Sequence, residues 1–149
     1  MESSSRRLVA ILFSDIVGYT AMMKENEQLG KSKAKTYRKI LEEKVAKHHG
    51  EVVQHYGDGS LSIFQSSVEA VRCAKEIQLE VKEHDIPLRI GIHKGDITIE
   101  GKDVFGDGIN VASRIESLGI PGLSRTPQSC HFSNIPQYSI YRNVDILKV

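Results

Sequence analysis

Glu51–Phe64, EVVQHYGDGSLSIF, holds two short runs of strand-forming residues on either side of Gly57-Asp58-Gly59. Gly and Asp both tolerate positive φ, so the pattern predicts a β-hairpin turning at GDG. The same turn presents a carboxylate with no bulk around it, able to approach a phosphate. Asp58 alone therefore reads either as a turn residue or as a ligand. The choice depends on whether a second carboxylate is brought beside it.

Upstream, Leu8–Phe13, LVAILF, is continuously apolar and branched, the pattern of a strand covered on both faces. It runs into Ser14–Thr20, SDIVGYT, and a helix is expected from about Tyr19. Over Ser32–His49 the apolar Ala34, Tyr37, Ile40, Leu41 and Val45 recur at helical spacing, with Gly50 placed to end the helix. Downstream of the hairpin, Ser66 and Glu69 form a capping-box pattern, and Val68, Val71, Ile77 and Val81 carry a helix toward His84. Leu88, Ile90 and Ile92 then alternate with Arg89, Gly91 and His93. Ile97 and Ile99 resume an alternation after Lys94-Gly95-Asp96, which predicts a second hairpin there. Gly108–Leu118 reads as a last helix with Val111, Ile115 and Leu118 inward.

The order β-α-α-β-β-α-β-β-α with short connections predicts an α+β sandwich, a mostly antiparallel sheet with helices on one face. Met1–Arg7 reads as a polar tail, and residues 8–149 as one domain, the size expected for 149 residues. Beyond Gly119 neither period holds, and three of the four prolines (Pro121, Pro127, Pro136) fall there.

A net charge of +1 with no basic stripe gives no nucleic-acid footprint. The longest apolar run is too short for a membrane span, so no membrane contact is expected from this chain and a cytoplasmic location is. Cys73 and Cys130 fit neither a zinc spacing nor a disulfide framework. Cys73 reads as a packed thiol.

Asp15 closes the first strand and Asp58 sits in the hairpin turn. If those strands are neighbours, both carboxylates emerge at one end of the sheet. Two Asp with no His or Cys make a hard-oxygen set suited to Mg²⁺ or Mn²⁺ shared with phosphates. Asn110 and Arg114, four apart on the last helix, share a face and suit a ribose and a phosphate. Taken singly, each has a plainer reading: Asp15 a helix cap, Asp58 a turn residue, Arg114 a surface ion-pair partner. His93 reads as structural, and His48 and His49 as helix-ending residues.

Together, FSDIVGYT, then GDG between two strands, then FGDGINVASRIES resemble the catalytic domain of the class III nucleotidyl cyclases, the adenylate and guanylate cyclases. The resemblance runs from about Arg7 to Leu118. It implies a ferredoxin-like βαβ core with an added hairpin, and an enzyme converting ATP to 3′,5′-cyclic AMP and pyrophosphate. It implies two Mg²⁺ or Mn²⁺ ions per site, held by Asp15, Asp58 and the Ile16 carbonyl. Asn110 would orient the ribose, Arg114 would stabilise charge at the reacting phosphates, and Asp103 would read adenine. Lys148 is the candidate phosphate-binding lysine. The family divides each site between two chains, so a head-to-tail homodimer is implied.

Three departures stand against this pattern. Position 54, where adenylate cyclases carry Lys and guanylate cyclases Glu, is Gln54, which leaves a guanylate cyclase or relaxed purine choice (GTP as well as ATP) as an alternative. Residues 119–149 do not resemble the family's usual strand and helix. The family's final strand is not found after Lys148, so this part is expected to be atypical and truncated. An inactive nucleotide-binding or dimerisation module is the second alternative, opposed by the presence of Asp15, Asp58, Asn110 and Arg114.

Overall fold

The computed structural model describes residues 4–110, 123–127, 139–141 and 144–148. In chain order the elements are β1 (Ser5–Ile16), α1 (Tyr19–Glu25), α2 (Glu27–Lys47), β2 (Glu51–Tyr56), β3 (Gly59–Phe64), α3 (Ser67–Glu83), β4 (Leu88–Glu100), β5 (Asp103–Phe105), β6 (Leu123–Pro127), β7 (Ser139–Tyr141) and β8 (Val144–Lys148). The strands form one sheet in the order β2-β3-β1-β4-β6-β8-β7, with β5 paired to β4. Of the pairings described, β4 with β6 is parallel and the others are antiparallel. This is the α+β architecture read from the sequence.

The apolar run of β1 sits at the centre because both its faces are covered. Ala10, Leu12 and Ile16 join Leu88, Ile90 and Ile92 of β4 under α2 and α3. Each such buried aliphatic side chain contributes about 1.5–3 kcal/mol. Val9 and Ile11 face the other way, into a second cluster with Leu61, Ile63 and Ile97. Helix α3 starts where its cap predicts: the Ser66 side chain accepts from the Glu69 amide. The Glu69 carboxylate does not close the box but reaches His48 and Arg72. Helix α2 begins earlier than its apolar stripe, at Glu27, because Asn26 caps it by accepting from the Leu29 amide.

Two expectations change. Strand β1 takes in Ser5–Arg7, which had read as tail, because Ser5 through Ile16 pair continuously with Ile99 through Leu88. For the same reason no hairpin forms at Lys94–Asp96, and β4 is a single strand of 13 residues. The inward residues shift from even numbers (Leu88, Ile90, Ile92) to odd ones (Ile97, Ile99) because the buried face itself changes. The first half of β4 packs under the helices and the second half against the opposite cluster. The hairpin lies further on, at Gly101-Lys102, where Gly101 has φ 60°.

The described parts of 119–149 are strands that extend the sheet. The last helix is described only at residues 107–110. Cys130 and the positions from Val111 to Leu118 lie outside the described residues. Among the described residues no helix is long and apolar enough to cross a membrane.

Candidate active site

Asp15 and Asp58 meet at one rim of the sheet. In the β1/β3 ladder Asp15 is the register partner of Gly59, the residue after Asp58. The Ile16 amide donates to the Asp58 carbonyl at 2.9 Å, locking the turn against the end of β1. The reason for the glycines differs from the sequence reading, since neither Gly57 nor Asp58 has positive φ. Gly59 is instead required by close approach: a Cβ there would lie 2.6 Å from the Ser14 carbonyl oxygen. Asp15 is not a helix cap either; α1 follows Gly18, which has φ 69°, without a side-chain cap.

A guanidinium already occupies this rim. Arg89, directly across the ladder from Asp15, donates to its carboxylate from Nε at 3.3 Å and from Nη2 at 3.2 Å. The sequence reading missed Arg89. Its only signal was a cation in the polar register of an alternating strand, a pattern that ordinarily marks solvent.

Beneath the rim, three hydroxyls close a ring inside the core. Ser14 Oγ lies 2.6 Å from Tyr37 Oη, Tyr37 Oη 2.7 Å from Ser60 Oγ, and the two serines 3.1 Å from each other. All three residues are buried. Burial pushes the Tyr37 phenol up to about 12, so it stays protonated and available as a donor. Outside, Arg38 Nη2 donates to the Gly57 carbonyl at 3.1 Å.

Gln54 is exposed on β2, accepts from Tyr56 Oη at 3.1 Å, and pairs in register with Leu61. Asp103 is exposed at the β4–β5 turn, opposite Glu100. From Arg89 to Glu100 the strand has a contour length of about 36 Å, at about 3.3 Å per residue. The chain then doubles back over the middle of β4 on the face away from α2 and α3. There Gly106 and Gly108 leave room for backbone alone: a Cβ at Gly106 would lie 2.6 Å from the Asp96 carbonyl oxygen, and one at Gly108 2.8 Å from Ile11 Cδ1. Asn110 follows, exposed. Within one chain, then, Asp15, Ile16 and Asp58 come together, while Asp103 lies at the far end of β4. Lys148 pairs in register with Leu123, next to Ser124, the partner of Ile90; its backbone is thus at the Asp15 end of the sheet. Arg114 lies outside the described residues.

His93 faces the second cluster, and burial lowers its pKa below the usual value. Cys73 is a packed thiol, pushed up to about 12 by burial. His48 ends α2 as expected, but it is also buried, with Nδ1 2.8 Å from Glu69 Oε2.

The model of the adenylate and guanylate cyclase catalytic domain family matches residues 1–139. The chain belongs to that family. It is 42% identical over 130 residues to "Putative adenylate cyclase 3" of Rhizobium meliloti, covering 81% of this chain and 22% of that protein. It is 34% identical over 122 residues to an adenylate cyclase of Streptomyces coelicolor, covering 78% of this chain and 31% of the relative. The chain thus spans less than a third of the length of these relatives. A solved adenylate/guanylate cyclase/hydrolase from Silicibacter pomeroyi superposes with a TM-score of 0.88 at 32% identity, covering 99% of both chains.

The donor set fits divalent cations. Asp15 and Asp58 supply hard oxygens at one rim, and a cationic group, the Arg89 guanidinium, already rests on Asp15. Among the described residues no cluster of three or more His, Cys, Asp or Glu offers a competing metal site.

Proposed function

We propose that this chain is the catalytic domain of an adenylate cyclase that converts ATP to 3′,5′-cyclic AMP and pyrophosphate at a site shared by two copies. The observation that carries the reading is the separation just described. In this reading the carboxylate pair and Asp103, the base-reading position, lie toward opposite ends of β4, so a complete site draws on a second copy. A head-to-tail homodimer supplies it, with Asp15, Ile16 and Asp58 from one protomer facing Asp103, Asn110 and Arg114 of its partner.

In this reading Asp15, Asp58 and the Ile16 carbonyl hold two Mg²⁺ or Mn²⁺ ions. When bound, such ions lower the pKa of the attacking ribose hydroxyl and neutralise charge on the leaving pyrophosphate. Arg89, held beside Asp15, adds a fixed donor fork at the triphosphate. Asn110 orients the ribose so that its 3′-hydroxyl points at the α-phosphate. Arg114 and Lys148 stabilise charge on the phosphates. Asp103 accepts from the adenine amino group. No protein nucleophile is required, and catalysis rests on positioning and electrostatics. ATP and Mg²⁺ are cytoplasmic, and the domain is placed there on that ground.

Gln54 favours a second reading, of relaxed purine choice. Its amide donates or accepts, so it serves adenine or guanine alike. Purified protein assayed with Mn²⁺ against ATP and GTP separately tests both. ATP preferred with measurable GTP turnover is expected. Turnover of neither nucleotide by a folded, dimeric protein contradicts the enzymatic reading and favours an inactive module.

A further inference from the structure

We infer that consecutive residues of α2, Tyr37 and Arg38, are positioning residues that set the geometry of the metal-binding turn from its two sides. The inference rests on the assignment of Asp15 and Asp58 as metal ligands, and goes beyond it to residues that touch neither metal nor substrate.

From inside, Tyr37 Oη bonds Ser14 and Ser60 at 2.6 and 2.7 Å. Those serines are register partners across β1 and β3, and each adjoins a ligand segment: Ser14 precedes Asp15, and Ser60 follows Asp58 by two. Three hydroxyls in a closed ring each donate once and accept once, so the network is complete without water. Such a ring fixes the spacing of the two strand ends more tightly than apolar packing, which has no direction. From outside, Arg38 holds the Gly57 carbonyl, while the Ile16 amide holds the next carbonyl, that of Asp58. The two peptides that orient the Asp58 side chain are therefore tied to different elements, α2 and β1. The 21-residue helix α2 carries both the Arg38 tie and the Tyr37 ring, because these adjacent residues reach different sides of the turn.

Tyr37→Phe keeps the volume and leaves Ser14 and Ser60 bonded to each other, so folding should survive. Arg38→Met keeps the length without the donor, and Arg38→Lys restores one donor. Mn²⁺ binding in the presence of a non-cyclisable ATP analogue, read by electron paramagnetic resonance, gives a signal independent of turnover. The expected result is metal affinity weaker by about 3- to 10-fold in Tyr37→Phe and Arg38→Met, the scale of one lost hydrogen bond, with partial recovery in Arg38→Lys. The metal concentration for half-maximal rate should rise in parallel, with kcat at saturating metal changed less. Mn²⁺ binding that is the same in wild type and in Asp15→Ala overturns the metal assignment and this inference with it. A wild type that binds through Asp15, with affinity unchanged in Tyr37→Phe and Arg38→Met, overturns this inference alone.

Discussion

The two ends of β4 are built by different means. At its start, where Arg89 faces Asp15, polar ties converge: an ion pair, a three-hydroxyl ring, and bonds from the Arg38 side chain and the Ile16 amide to two consecutive turn carbonyls. Toward its other end, where β5 and the segment to Asn110 fold back, the fit comes from absent side chains: Gly95, Gly106 and Gly108 let backbone lie on backbone. Directional bonds suit a site whose ligands must hold hard cations at fixed distances. A glycine contact with exposed Asp103 and Asn110 suits a surface that is completed from outside. The contrast is what the proposed division of the site between two chains requires.

The largest effect is expected at the carboxylates. Asp58→Asn or Asp15→Asn should lower kcat/KM by about 10²–10³-fold, the scale of removing one electrostatic contact to a reacting group. Circular dichroism should show both variants folded. Near-normal turnover in either removes the metal role of that residue.

A matched pair of glycine substitutions separates the ends. Gly59→Ala places a Cβ against the Ser14 carbonyl, and Gly106→Ala places one against the Asp96 carbonyl at φ 145°. Each should cost about 1–3 kcal/mol in chemical denaturation, from overpacking or backbone strain. Mn²⁺ affinity should fall in Gly59→Ala alone. Equal loss in both would mean that the ends are not independent.

Smaller is the effect at Gln54. Gln54→Lys should sharpen the ATP-over-GTP ratio of kcat/KM by the value of one hydrogen bond, about 0.5–1.5 kcal/mol. An unchanged ratio would mean that position 54 does not face the base.

The smallest concerns the contact of α2 with α3 beside the Glu51–Phe64 end of the hairpin, away from the GDG turn. The hydrogen bond from His48 holds the Glu69 carboxyl below its ordinary 4.5. A depressed folded-state value means that Glu69 stabilises the fold fully above about pH 4.5 and loses that contribution as pH falls through its folded value. Glu69→Gln should lower stability at neutral pH by that contribution, leave it nearly unchanged well below the folded value, and so flatten the acid side of the stability curve; an unaltered acid limb would dismiss the contact as a stabiliser.

Much of this was legible in sequence because it follows from periodicity and caps: the central strand, α2 and α3, the hairpin, and the meeting of Asp15 with Asp58. The shift of buried face along β4 was not, since an alternation that changes parity looks the same whether the chain turns or the partner layer changes sides. Arg89 was hidden by its ordinary place in that alternation. Tyr37 was seen only as a ring in an apolar stripe; its hydroxyl found partners 23 residues away on both sides in sequence. The GDG turn was found for the wrong reason, because glycine can be required by φ or by proximity, and composition does not separate the two.

The division of the site is tested most directly by mixing two inactive variants, Asp15→Ala and Asn110→Ala, under conditions that let subunits exchange. Random re-pairing leaves one intact site in half of the dimers, so about a quarter of wild-type activity should return. No recovery, with heterodimers demonstrated by mass spectrometry, would place both halves of the site within one chain and contradict the account.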